Sequence, residues 1–118
     1  FRKRSGNNSA WFDSVFNGFD PVLTVTENQN PASQMWLFGN DLGINANPTG
    51  VIANIDQPLG VGGLDGGGFP YAGQIAEMII VEGSLSTDDR QKSEGYLAWK
   101  WGLEANLPIG HPYKSSAP

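Results

Sequence analysis

A pair of carboxylates offers the most direct route to chemistry in this sequence, because two acids that reach the same sugar can hydrolyse a glycosidic bond. The best-placed acids are Glu77 and Glu82, within and at the end of an apolar run. They are five residues apart, and this odd spacing puts them on opposite faces of a regular strand. A same-face pair is therefore excluded, and Glu77 is predicted to be a buried acid that accepts hydrogen bonds.

Few other catalytic groups are present. The sequence has one histidine, His111, held between Gly110 and Pro112, and no cysteine. Thiol nucleophiles, disulfides and zinc–thiolate sites are thereby excluded, and His111 stands alone as a candidate general base or metal ligand. We therefore predict that the protein is not an enzyme, with glycan hydrolysis as the open alternative.

Oxygen-bearing side chains gather in the loops predicted between residues 39 and 72, which suits a hard cation such as calcium. Their spacing does not match an EF-hand loop, and Asn and Asp are also ordinary turn residues. No cofactor other than calcium is predicted. The predicted calcium ligands are Asp41, Asn45 and Asp65, with Asn40 and Asp56 in or near the same loops.

Sugar binding needs an exposed aromatic ring beside amide and carboxylate groups. Tyr71 meets the first condition because it lies in a Gly- and Pro-rich loop. Phe69 and Trp36 are further candidates, although alternation within a strand favours core packing for Trp36. The predicted glycan-binding residues are Asn40, Asp41, Asp65 and Tyr71.

Composition fits one β-rich domain with many tight turns. The 118 residues include 16 Gly and 8 Pro without a fixed period, and 39% are hydrophobic. The net charge is −5, and no Lys or Arg occurs between Ser5 and Asp89. We therefore expect no nucleic-acid partner. No apolar run is long enough to span a bilayer, so membrane insertion is not expected either.

Periodicity predicts strands that would position these residues. The strongest predicted strand extends from Gly73 to Gly83. It is apolar on both faces and is therefore predicted to be central and buried. Shorter strands are predicted at 21–26 and 35–38, with further strand-like runs near 11–16 and 59–64. Residues 42–58 are predicted to be mostly irregular.

A capped helix is predicted over about 87–101. Ser86 is placed to accept a hydrogen bond from the amide of Asp89, and Gly102 suits the left-handed ending, which would bring Leu103 onto Ala98. Ser93, Leu97 and Trp101 share the face predicted to pack. The Pro-rich residues 103–118 then form an extended strap. The residues with predicted structural roles are Glu77, Ser86, Tyr96, Leu97, Trp99, Trp101 and Gly102.

The C-terminal third also resembles a known family. The runs GQIAEMIIV (73–81), EGYLAWKWGL (94–103) and LPIGHPYK (107–114) resemble the C-terminal portion of laminin-G-like domains in the bacterial and bacteriophage branch of the concanavalin A-like lectin/glucanase superfamily. The resemblance implies an all-β antiparallel jelly-roll sandwich with one C-terminal helix and an extended tail. Complete domains of this kind are longer, so residues 1–118 are expected to be a single module cut from a longer domain.

The resemblance further implies an extracellular or virion-surface protein that contacts glycans or neighbouring subunits. We predict a non-catalytic, lectin-like module for glycan binding and adhesion on a virion or bacterial surface protein. The alternative is a structural capsid or tail decoration component, a homo-oligomer whose sandwich is completed by contacts between subunits.

Overall fold

The computed structural model describes residues 2–5, 8–11, 20–28, 32–46, 61 and 71–118. The chain divides into two compact units, residues 1–52 with 83–118 and residues 53–82. The described strands, all in the first unit, are β1 (Arg2–Ser5), β2 (Asn8–Trp11), β3 (Thr24–Asn28), β4 (Ala32–Leu37) and β5 (Asn40–Ala46). The same unit contains the helix α1 (Thr87–Lys100) and a short 3₁₀ helix (Glu104–Asn106).

The strands form two antiparallel sheets. β1 pairs with β2, and a second sheet has the order β3-β4-β5. A two-residue turn joins β4 to β5, with φ of 48° at Phe38 and 78° at Gly39. Positive φ at both central residues suits the right-handed twist of a hairpin, and Gly39 adopts it without steric cost. The ladder shifts register between Gln34 and Trp36.

Two predicted strands are present with altered bounds, whereas β1 and β5 were not predicted. β3 and β4 lie close to the predictions at 21–26 and 35–38, whereas β5 occupies part of the region predicted to be irregular. Its polar beginning suggests a turn, but pairing with β4 overrides that local preference. β2 ends at Trp11, and the rest of the 11–16 run lies outside the described residues. The strand-like run predicted near 59–64 also lies outside the described residues, apart from Val61, which is exposed.

The core of the first unit lies between the β3–β4 sheet and the C-terminal segment. Leu23, Ala98, Leu103 and Leu107 form one buried cluster, against which Phe38 and Leu97 pack. Met35 and Trp36 on β4 are also buried. Core packing, the preferred interpretation for Trp36, is therefore confirmed.

Local signals at both ends of α1 are confirmed. The Ser86 hydroxyl accepts a hydrogen bond from the Asp89 amide at 3.1 Å and donates to an Asp89 carboxylate oxygen at 2.7 Å. At the other end Gly102 has φ of 67°, and the Leu103 amide donates to the Ala98 carbonyl at 2.7 Å. This last bond is the long bond of a Schellman ending. α1 is the longest described helix, and no helix in the described residues is both long and apolar enough to cross a membrane.

The predicted packing face of α1 is only partly confirmed, because Leu97 packs against the core cluster but Trp101 does not. Its buried residues are Glu94, Gly95 and Ala98, whereas Trp101 on the predicted Ser93–Leu97–Trp101 face is 45% exposed. The prediction assigned the packing face to the larger apolar side chains. Glu94 is buried instead because its carboxylate is paired inside the protein. Gly95 is buried because its lack of a side chain lets the following strap approach closely.

The prediction of a central strand over Gly73–Gly83 is wrong. No strand is assigned between residues 71 and 86, and most side chains in this segment are exposed. Glu77 is only partly buried. Composition alone does not show whether an apolar run forms a buried strand, because burial depends on neighbours that the local sequence does not specify.

The jelly-roll prediction is contradicted as well. Across the described residues there are one three-stranded sheet, one two-stranded sheet and one long helix. A jelly roll needs two face-to-face sheets of about eight strands in total. The described architecture is too small for such a sandwich.

Candidate functional site

The predicted site residues Asn40 and Asp41 lie just after the β4–β5 turn, where they stabilise the hairpin. One Asp41 carboxylate oxygen accepts from the Gln34 side-chain amide at 2.8 Å, and the other accepts from the Gly43 amide at 2.7 Å. The Asn40 side chain donates to the Leu37 carbonyl at 3.3 Å. Both oxygens of Asp41 thus already have hydrogen-bond donors within the hairpin.

The other predicted ligand residues do not form a described site. Asn45 lies on β5 opposite Ser33, and its side chain is outside the described residues, as are Asp56, Asp65 and Phe69. Tyr71 is exposed and belongs to the second unit, where its ring lies over Gly73. Within the described residues no group of three or more His, Cys, Asp or Glu side chains is arranged to hold a metal. Calcium binding therefore stays a prediction.

A buried charged cluster, which the sequence analysis did not identify, lies where α1 meets the strap. Glu94 is fully buried. One of its oxygens is 2.6 Å from Arg90 Nη1, and the other is 3.1 Å from His111 Nε2. The signal for it was the i, i+4 spacing of Arg90 and Glu94 on one helix. Nothing local marks that pair as buried.

Surrounding groups fix the geometry of this cluster. The Arg90 guanidinium lies 4.4 Å from the ring centroid of Trp36 on β4. A Cβ added at Gly39 would lie 3.0 Å from His111 Cδ2 and 3.5 Å from a Glu94 oxygen. The hairpin turn therefore approaches the cluster closely enough that a side chain at position 39 would crowd His111.

Hydrogen bonding assigns the tautomer of His111. The Tyr113 backbone amide, which can only donate, lies 3.2 Å from His111 Nδ1. Nδ1 must therefore be the acceptor, and Nε2 carries the proton that is donated to Glu94. Both ring nitrogens and both Glu94 oxygens are thus used within the protein. The cluster links α1 to the strap beside the hairpin turn.

A second feature of the described surface is an exposed apolar segment in the second unit, which we call the apolar segment (residues 74–82). Its large aliphatic side chains are 46–66% exposed. The segment carries two acids, Glu77 and Glu82, and no cation. Five such side chains within seven residues are thus about half exposed, and exposed apolar surface marks contact sites on soluble proteins. These side chains are Ile75, Met78, Ile79, Ile80 and Val81.

A third feature is the exposed end of α1, which we call the aromatic–lysine cluster (Tyr96, Lys100 and Trp101). Lys100 Nζ lies 2.8 Å from the Tyr96 hydroxyl, 5.1 Å from the Tyr96 ring centroid and 5.9 Å from that of Trp101. Nearby Trp99 has a different role, since its indole N–H donates to the Tyr113 carbonyl at 2.9 Å. Trp99 therefore attaches the strap, whereas the cluster presents two half-exposed rings around an ammonium group.

No protein-family model matches the sequence, and neither the curated proteins nor the solved structures gave a match. The resemblance to laminin-G-like domains therefore stays a sequence-based prediction.

Proposed function

We propose that this chain is a non-catalytic structural subunit of a surface assembly, whose fold is completed by contacts with neighbouring subunits. The apolar segment carries the proposal. Its five aliphatic side chains are about half exposed, although the segment has the composition of a buried strand. Exposed apolar surface of this kind on soluble proteins marks protein contact sites.

The magnitude of this exposure indicates how the subunits associate. Fully burying one exposed Ile, Val or Met side chain contributes about 1.5–3 kcal/mol, so covering the exposed half of five contributes about 5 kcal/mol. Association costs about 4–15 kcal/mol in lost freedom. A single contact through the segment is therefore marginal. Stable association requires each subunit to make several contacts, as in a capsid or tail structure.

Two further considerations support the proposal. Both Glu94 carboxylate oxygens and both His111 ring nitrogens have partners within the chain, which favours a positioning role over catalysis. The resemblance to laminin-G-like domains supports placing the assembly on an extracellular or virion surface. Glycan binding, the other prediction from that resemblance, has no described site in its favour.

The test is solution mass by light scattering over a concentration series. The wild-type chain should gain mass as concentration rises. Ile80→Lys, which puts a charge at the most exposed aliphatic position of the segment, should keep the chain monomeric. Gln74→Lys is the matched control, because it adds the same charge at an exposed polar position of the same segment. A wild-type chain that stays folded and monomeric up to millimolar concentration would refute the proposed function.

A further inference from the structure

The strand β3 forms an open edge of the three-stranded sheet. In the described residues β3 pairs with β4 alone, whereas the opposite edge strand, β5, lies near β2 and has an irregular register with β4. Irregularities of this kind, together with Lys and Pro, keep sheet edges from pairing with other chains. β3 has the sequence TVTEN, without Lys or Pro, and its register with β4 is regular. The β3 edge is therefore a template for a further strand.

The hydrogen-bonding pattern of the β3–β4 ladder shows which backbone groups of β3 face outward. The Phe38 amide donates to the Leu23 carbonyl at 2.9 Å, and this pair continues the register of the ladder. Hydrogen-bonded and non-hydrogen-bonded pairs alternate along an antiparallel ladder. Val25 and Glu27 therefore direct their backbone groups toward β4, and the alternate residues direct theirs away from it. These outward residues are Thr24, Thr26 and Asn28.

An antiparallel copy of β3 is complementary to this edge. Thr26 is the middle residue of the strand, so a two-fold axis beside it places Thr26 opposite the partner subunit's Thr26. The same axis places Thr24 opposite the partner subunit's Asn28. Outward residues that are directly opposed in this way exchange both of their backbone hydrogen bonds. Every outward backbone group of β3 then has a partner, and the pairing of β3 with β4 is unchanged.

From this complementarity we infer that two copies of the chain pair through β3 about a two-fold axis at Thr26, so that their sheets join into one continuous antiparallel sheet. The contact is isologous, since both subunits present the same strand. The inference rests on the proposed assembly function, for which it supplies a second contact besides the apolar segment.

The strength of the β3 contact fits this supporting role. Each hydrogen bond between the chains replaces bonds to water and therefore contributes modestly, and an isolated pair of strands is marginal in water. The β3 edge therefore holds subunits together only in combination with the apolar segment. Loss of either contact should weaken the assembly.

A single cysteine tests the pairing. The chain has no cysteine, so Thr26→Cys carries one thiol per subunit. Opposed residues of a hydrogen-bonded pair have Cα atoms about 5.5 Å apart, within the range that a disulfide spans. Where wild-type mass rises, mild oxidation should crosslink Thr26→Cys roughly tenfold faster than Thr87→Cys, because paired thiols have a high effective concentration. Thr87→Cys is the matched control, since it makes the same change at an exposed threonine of α1.

Thr26→Pro tests what the pairing contributes. It removes an N–H that faces away from β4, so the β3–β4 ladder keeps its hydrogen bonds, whereas the contact between subunits loses the bonds at its axis. By light scattering, Thr26→Pro should associate at least about tenfold more weakly than the wild type. Thr87→Pro is the control, because the first residue of a helix tolerates proline, and it should associate like the wild type.

The outcomes separate this inference from the proposed function. If the wild type assembles but Thr26→Cys crosslinks no faster than Thr87→Cys, the β3 pairing is refuted and the proposed function stands. A folded Thr26→Pro chain that associates like the wild type has the same meaning. If proline unfolds the chain, the cysteine result alone decides. A wild type that stays monomeric would refute both the pairing and the proposed function.

Discussion

Glu94 shows how one residue can hold three elements in place. Its two oxygens pair with Arg90 on α1 and with His111 on the strap, and the β4–β5 turn closes over it at Gly39. Removing one member of a buried charged group leaves the others without a partner, which costs far more than the net contribution of the pair. The stability of the first unit should therefore be unusually sensitive at this position.

Glu94→Ala is predicted to lower the free energy of unfolding by about 3–5 kcal/mol, because Arg90 and His111 stay buried without an acceptor. Glu94→Gln should cost roughly half as much, since an amide can accept only one of the two bonds and meets the other donor with its own N–H. Urea unfolding followed by tryptophan fluorescence measures both. Lys92→Ala, an exposed change on the same helix, should stay within about 0.5 kcal/mol of the wild type. Equal, small effects at positions 94 and 92 would contradict this account.

At the scale of elements, α1 and the strap depend on a glycine within the helix. A Cβ built at Gly95 would lie 2.6 Å from Tyr113 Cβ, closer than atoms can pack without a shift. Glycine is intrinsically unfavourable in a helix by about 0.5–1 kcal/mol relative to alanine. The sequence accepts this cost because the strap crosses the helix at that point.

Gly95→Ala is therefore predicted to destabilise the protein by about 1–2 kcal/mol, since overpacking outweighs the gain in helix propensity. The control is the same change in a Tyr113→Gly background, where the crowded atoms are gone. There Gly95→Ala should be stabilising. A double-mutant cycle of urea unfolding measures the coupling. Stabilisation in both backgrounds would show that the strap does not pack on Gly95 as described.

The elements differ in how far the sequence predicts them. The ends of α1 are accurately predicted because capping depends on residues three or four positions apart, such as Ser86 with Asp89. β5 was missed because Asn40, Asp41 and Gly43 have turn-like local preferences, and pairing with β4 decides their conformation. The packing face of α1 was only partly predicted, since the burial of Glu94 depends on a histidine 17 residues away.

The whole molecule shows the limit of inference from a family resemblance. The runs between residues 73 and 114 imply a jelly roll, yet the described residues contain no pair of large facing sheets. An apolar run such as 73–83 forms a stable strand only when other groups cover it, and its sequence does not say whether those groups come from the same chain or from another. Whether the apolar segment is covered therefore depends on the neighbours that it meets as much as on its own sequence.

Hydrogen exchange can show whether the apolar segment is covered by its own chain or by another chain. In dilute solution the amides of residues 75–81 should exchange rapidly, because no strand ladder is assigned to them, whereas the amides in the middle of α1 should be strongly protected. Raising the concentration into the range where mass increases should protect the segment and leave α1 unchanged. Ile80→Lys supplies the control, since it should keep the segment in fast exchange at every concentration. Strong protection of residues 75–81 in the dilute wild-type monomer would show that a single chain already covers the segment, and it would remove the main argument for assembly.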